Sequence, residues 1–101
     1  METVIHIPHD IMFSLATVAG MIGHYAKKKV REETVTTLTE WFGSVNIFGT
    51  ISSITTASAT ILGALSSGVI TPEMTDMAVI YIGLTNGFAV DSATNGDSDL
   101  K

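Results

Sequence analysis

The chain has 101 residues, carries ten acidic against five basic side chains, and contains no cysteine. This length fits one domain, the lack of cysteine excludes disulfides and thiolate metal sites, and the net charge of −5 argues against binding to nucleic-acid phosphates. Only 15% of the residues are charged, whereas a soluble domain carries about 25%, so an ordinary soluble enzyme is already disfavoured.

Three uncharged stretches separate the charged residues: 11–26, 41–72 and 77–90. A membrane-spanning helix needs about 20 predominantly apolar residues, so the central stretch is long enough and the outer two need help from their flanks. We therefore expect an all-α fold with two or three hydrophobic transmembrane helices and a short amphipathic connecting helix. Residues 1–101 would form a single helical membrane domain.

The first predicted helix covers about residues 9–29 and ends in Lys27, Lys28 and Lys29, whose alkyl stems suit hydrocarbon while their amines reach lipid headgroups. With Arg31 they form the main cationic cluster, which places this connection in the cytoplasm and attracts anionic lipid. Three spans would put the C-terminus inside and two would leave it outside. The residues before this helix lack a signal-peptide pattern, so we expect the helix to stay in the mature protein.

The second predicted helix, residues 30–42, is amphipathic, with Val35, Leu38 and Phe42 at helical spacing. We expect it on the membrane surface, with Trp41 at the interface, where aromatic rings prefer to lie.

The third predicted helix, residues 47–69, carries small residues at every fourth position, and the fourth, residues 72–90, begins with Thr71 as its cap. In lipid such rows let helix backbones approach closely. We predict helix-packing rows of this kind in a homo-oligomer at Gly49, Ser53 and Ala57, at Ala59, Gly63 and Ser67, and at Gly83 and Gly87. The alternative is a soluble, tightly packed helical hairpin.

Candidate chemistry is sparse. His6, His9 and Asp10 come nearest to a metal site, but Pro8 interrupts a helix through them and further ligands are missing, so no metal or cofactor is predicted. His24 suits a polar tip at the membrane boundary. Acidic side chains at residues 32, 33 and 40 have no partner that would tune them for catalysis, so no enzyme is predicted.

The C-terminal part of the fourth helix reads Gly87-Phe88-Ala-Val-Asp91-Ser92-Ala-Thr-Asn95. We expect Asp91 and Ser92 to anchor the helix end at the headgroups, followed by a polar tail over residues 91–101.

This ending, together with the basic stretch after the first helix, resembles that of small phage-encoded membrane proteins of the holin type. The resemblance implies an integral protein of the host inner membrane that oligomerises and permeabilises it. Its partners would be the lipid bilayer, further copies of itself and other phage proteins, with no nucleic acid. Two other functions fit the same helices: a virion structural or ejection-associated component, and a soluble helical assembly protein.

Overall fold

The structure, a computed structural model, describes residues 7–31, 37–43 and 46–95. Over these ranges the chain forms four helices and no strand: α1 (His9–Val30), α2 (Leu38–Trp41), α3 (Ile47–Ser67) and α4 (Asp76–Asn95). The expected all-α fold is confirmed.

Helices α1 and α4 lie side by side and run in the same direction, whereas α3 runs opposite to both. Two side-chain pairs set the first relation, because His9 meets Asp76 and His24 meets Asp91, each 67 residues further along the chain. Contacts of Ser53 with the end of α4 and of Thr60 with its middle set the second. Helix α3 packs mainly against α4 and touches α1 only lightly.

Glycines let helices α1 and α4 approach so closely that their backbones touch. A Cβ atom added to Gly87 would lie 1.7 Å from the carbonyl oxygen of Thr17, and one added to Gly20 would lie 2.1 Å from that of Leu84. No residue larger than glycine fits at either position while the two backbones stay where they are. Small residues on both helices therefore produce the closest packing in the fold, as they do where helices meet in lipid.

The buried apolar residues form two small clusters: one consists of Met21, Ala57 and Val90, and the other lies at the end where α3 turns into α4. Gly68 has a left-handed backbone (φ 83°) and ends α3, as glycine at this position often does. The turn brings Ile70 onto Phe13 and Val79, all three of them buried.

Helix α4 begins four residues and ends five residues later than predicted. The hydroxyl of Thr75, not that of Thr71, accepts a backbone N–H in the first turn, from Ala78 at 3.2 Å. Residues 71–74 form a turn instead. The helix continues past Val90 to Asn95 because its last polar side chains find partners on other helices rather than in solvent.

The remaining bounds differ less. Helix α3 ends at Ser67, two residues before the predicted end. Of the predicted amphipathic helix over residues 30–42, the structure has the four residues of α2, and residues 32–36, including Glu32, Glu33 and Val35, lie outside the described residues.

Fewer helices meet the length and hydropathy expected of a membrane span than the sequence predicted. Among the described residues only α3 is both long and apolar enough to cross a membrane, where two or three such helices were expected. The reason is polar content: α1 ends in three lysines, and α4 contains Asp76, Asn86 and Asp91. Only 17% of the apolar stretch of α3 is buried inside the molecule, so this helix is not an ordinary core helix.

Candidate functional site

The most extensive group of hydrogen-bonded buried side chains lies where the ends of α1 and α4 meet α2 and the start of α3. Asp91 is its centre and has no exposed surface. Its Oδ2 atom lies 2.5 Å from Nδ1 of His24 and 3.0 Å from Nε1 of Trp41, and its Oδ1 atom lies 2.7 Å from Nδ2 of Asn95. We call this group the Asp91 network; its members are His24, Trp41, Asn46, Ser53, Asp91, Thr94 and Asn95.

The Trp41 and Asn95 groups that face Asp91 can only donate, so the two oxygen atoms of Asp91 accept their hydrogen bonds. Nδ1 of His24 is the third atom that meets this carboxyl group. The second Asn95 hydrogen goes to Ser53 Oγ at 2.8 Å, and Ser53 is 2.7 Å from Thr94 Oγ1. Every buried polar side-chain atom in the described residues has a partner.

Short-range sequence features position three residues of the Asp91 network: Asp91, Asn95 and Trp41. Asp91 and Asn95 are four residues apart and share one face of α4. Trp41 is held by α2, which begins with a capping box: the Thr37 N–H donates to the Glu40 carboxylate at 2.8 Å, and the Glu40 N–H donates to the Thr37 hydroxyl at 3.3 Å. The Thr37 N–H, and then the Thr37 hydroxyl, which donates to the same carboxylate oxygen at 3.0 Å, lower the pKa of the Glu40 carboxyl below its ordinary value.

Aromatic rings and lysines cover the network. The His24 ring meets the edge of Phe88 at 5.0 Å between centroids. Lys27 Nζ lies 5.4 Å from the centre of the Phe88 ring, and Lys28 Nζ lies 5.8 Å from that of Trp41, both within the range of cation–π attraction. The two lysines therefore extend over the rings that shield Asp91 from its surroundings.

A second polar layer joins all three long helices near their middle. Asn86 Nδ2 donates to Thr17 Oγ1 at 3.2 Å and to Thr60 Oγ1 at 3.0 Å, and Thr60 passes its own hydrogen to the carbonyl oxygen of Ala57. Such bonds between helices are the polar contacts by which membrane helices associate.

The third polar contact closes the opposite end of α1 and α4. His9 Nδ1 lies 2.6 Å from the carbonyl oxygen of Thr71, and its Nε2 atom lies 3.0 Å from Asp76 Oδ1. The bond to the Thr71 carbonyl, and then the one to Asp76, raise the pKa of His9 above its ordinary value of 6.5. His9 is the first residue of α1 and lies at the end of that helix.

We predict a titration of His9 that follows from this geometry. The pair with Asp76 contributes fully below the unfolded-state pKa of His9 and is lost as pH rises through the raised pKa of the folded state. NMR of the imidazole protons should therefore give a midpoint above 6.5. In Asp76→Asn the midpoint should fall, and a midpoint unchanged by this substitution would contradict the pairing.

The predicted packing rows face different surroundings. The row at Gly49, Ser53 and Ala57 turns inward, toward α4 of the same chain: Ser53 and Ala57 are buried. Gly83 and Gly87 pack against α1 of the same chain.

The second predicted row on α3 turns outward. Its members Ala59, Gly63 and Ser67 are exposed, and a Cβ atom added to Gly63 would meet nothing within 4 Å. This row is the one that remains accessible to another copy.

Residues of the C-terminal motif take different positions from those expected. The expectation that Asp91 anchors a helix end at the headgroups is wrong, because Asp91 is fully buried and α4 continues for four more residues. Phe88 contacts His24, Asn95 joins the network, and Ser92 is exposed. Helix α4 therefore includes residues 91–95 of the predicted tail, and residues 96–101 lie outside the described part of the chain.

The residues predicted to set topology gather at one end of the molecule. Lys27, Lys28, Lys29 and Arg31 end α1 beside α2. Trp41 was expected at the interface, but it has no exposed surface and donates its N–H to Asp91. His24 is likewise buried rather than a polar tip.

One sequence signal would have indicated the pairing of His24 with Asp91. Both His9 and His24 on α1, and both Asp76 and Asp91 on α4, are 15 residues apart, or about 22 Å along a helix. Equal spacing on two parallel helices brings both pairs together in one register.

Among the residues that the structure describes, no three His, Asp or Glu side chains gather where they could hold a metal ion; His6 of the candidate metal group lies outside them. Comparison with protein-family models, with curated proteins and with solved structures finds no match to this chain. The resemblance to holin-type proteins therefore stays a prediction.

Proposed function

We propose that the chain is a small integral membrane protein whose three long helices cross the bilayer, and that its copies associate there and permeabilise the inner membrane of a phage host, as holins do. The observation that carries the proposal is the number of large apolar side chains on the outside of the helices, around an interior whose buried polar side chains are all hydrogen-bonded within the described residues.

The exterior is rich in large apolar side chains, and the interior holds polar as well as apolar ones. Beside nine buried hydrophobic residues, the interior contains five buried polar side chains: Thr17, His24, Ser53, Asp91 and Asn95. On the outside α1 presents a continuous stripe, and α3 and α4 add further large side chains: Ile11, Leu15, Val18 and Ile22; Phe48, Ile51, Ile54 and Leu62; Met77, Ile80, Tyr81 and Leu84. In water such a surface is an aggregation liability, whereas in lipid it is the required one, provided that the polar groups inside are paired.

Dimensions and direction support three crossings. Helices of 22, 21 and 20 residues are about 33, 31 and 30 Å long, against a hydrocarbon core of about 30 Å. They alternate in direction along the chain, and the end with the three lysines is the cytoplasmic one by the positive-inside rule. Pairing inside the bundle lets α1 and α4 keep polar residues that a single helix in lipid would expose.

Association would use the outward row at Ala59, Gly63 and Ser67. Hydroxyl groups of α3 that are exposed beside it, such as those of Ser52 and Thr55, would then line the lesion between subunits.

Gly63→Leu is predicted to weaken self-association without unfolding the protomer, because the added side chain meets nothing within its own chain but blocks close approach of a second backbone. A membrane two-hybrid assay measures the association. The matched control is Gly23→Leu on α1, which also has open space around it. Unchanged association in Gly63→Leu, or an equal loss in the control, would contradict the use of this row.

The function itself is tested by expressing the chain in bacteria, washing the membranes with carbonate and recording growth of the same culture. Retention in washed membranes with an abrupt stop in growth is the expected result. Retention without harm would overturn permeabilisation, and recovery in the soluble fraction would overturn the membrane placement.

The exposed apolar surface also favours a second candidate, because other copies or other virion proteins would cover it equally well in a helical assembly. Mass spectrometry of purified phage particles separates the two candidates. A virion component is stoichiometric in the particle, and a holin is absent or present in traces.

A further inference from the structure

An open apolar groove of about 610 Å³ lies between α1 and α3 and is closed at one end by α2. It exists because α3 packs on α4 and leaves most of its α1-facing side uncovered. Its walls are almost entirely hydrocarbon and include Val18, Met21 and Ile22 from α1, Leu38 from α2, and Ile54 and Ser58 from α3.

We infer that this groove binds an anionic phospholipid, with an acyl chain between α1 and α3 and the phosphate at Lys29. The inference rests on the membrane placement proposed above and adds a specific ligand class to it.

The length and level of the groove fit one lipid leaflet. Along α3 it extends from Ile61, about one helical turn beyond the centre of the helix, to Thr50 near its start, a distance of about 16 Å. Half of the hydrocarbon core is about 15 Å. The groove therefore runs from the middle of the bilayer to the end where α2 and the basic residues lie, as an acyl chain of the cytoplasmic leaflet does.

At the end of the groove next to α2, the positive charge of Lys29 is complementary to a phosphate. Lys29 follows Ile22 by two helical turns, so it lies on the groove-facing side of α1. Its charge also acts on Glu40 of α2, which places its amine beside the element that closes the groove. Basic residues at such a position between membrane helices are a known way to hold anionic headgroups.

Neighbouring charges do not cancel this attraction. The negatively charged carboxylate of Glu40 offsets part of the charge of Lys29, but the same end of α1 carries further positive charges at Lys27, Lys28 and Arg31. Asp91 is buried within its network. Lys27 points to the other side of α1, where its amine lies over Phe88 of α4. Lys27 and Lys29 thus have the same charge and nearly the same depth but face different surfaces.

The full chain, extracted in detergent and mixed with equal amounts of phosphatidylglycerol and phosphatidylcholine, is examined by native mass spectrometry. We expect one bound lipid, with phosphatidylglycerol favoured. Lys29→Gln should reduce that preference about fivefold, the effect of one basic charge near a membrane surface. Lys27→Gln should change it much less. Equal retention of the two lipids, or equal effects of the two substitutions, would overturn the inference.

A second pair of variants tests the groove rather than the charge. Ser58→Trp fills the groove and should abolish lipid retention, whereas Ser52→Trp places the same ring on an exposed position of α3 outside the groove lining and should leave retention unchanged. Lipid retained by Ser58→Trp would overturn the site. A chain that stays in carbonate-washed membranes but shows no lipid preference would refute only this site, and one that leaves the membrane would refute the proposed function.

Discussion

Gly87→Ala is expected to separate α1 from α4, although it adds a single methyl group. The added carbon would lie 1.7 Å from the carbonyl oxygen and 2.6 Å from the carbonyl carbon of Thr17. Because both atoms belong to the backbone of a packed helix, no side-chain rotation relieves the overlap. Overpacking of a core costs about 1–3 kcal/mol where side chains can adjust, so we expect about 3 kcal/mol or more here.

Thermal unfolding in detergent, followed by Trp41 fluorescence, measures this effect. Trp41 reports on the packing because α2 is held to α4 through Asp91. Gly63→Ala is the matched control, since it adds the same methyl group to a helical glycine with nothing within 4 Å. Helix propensity predicts that the control is neutral or slightly more stable. Similar midpoints for the two variants would show that α1 and α4 do not touch at Gly87.

Asp91→Ala is expected to be the most damaging substitution in the polar interior. It leaves the His24 ring nitrogen, the Trp41 indole N–H and one Asn95 hydrogen without their partner in a buried region. Each buried polar group left without its hydrogen bond costs about 1–3 kcal/mol because it stays desolvated, and this substitution affects three of them. We expect loss of the native Trp41 emission as α2 detaches, together with a large drop in the unfolding midpoint.

The other histidine–aspartate pair supplies the control for Asp91→Ala. His9 and Asp76 join the same two helices in the same register, but the Asp76 side chain is 66% exposed. Water replaces a lost partner there, so Asp76→Ala should have a much smaller effect. Equal losses in the two variants would mean that Asp91 is not shielded from solvent.

Much of the local structure was predictable from the sequence. The distribution of charge defines where the long helices lie, since residues 11–26, 41–72 and 77–90 contain no charged side chain. The lysines after the first stretch define one end of the molecule, and rows of small residues mark helices able to pack closely. These features depend on neighbours within about four positions, which is the range over which a sequence pattern determines helix formation and helix faces.

The tertiary structure alone decided which face of each helix meets which partner. Two similar rows on α3 have opposite positions: Ser53 is buried against α4, whereas Gly63 faces outward. Asp91, expected at a headgroup, instead forms hydrogen bonds with residues 50 and 67 positions away. These contacts depend on the rotation and register of helices α1, α3 and α4 against one another. Helical periodicity leaves both undetermined, and backbone contact at glycine and pairing of buried polar groups fix them.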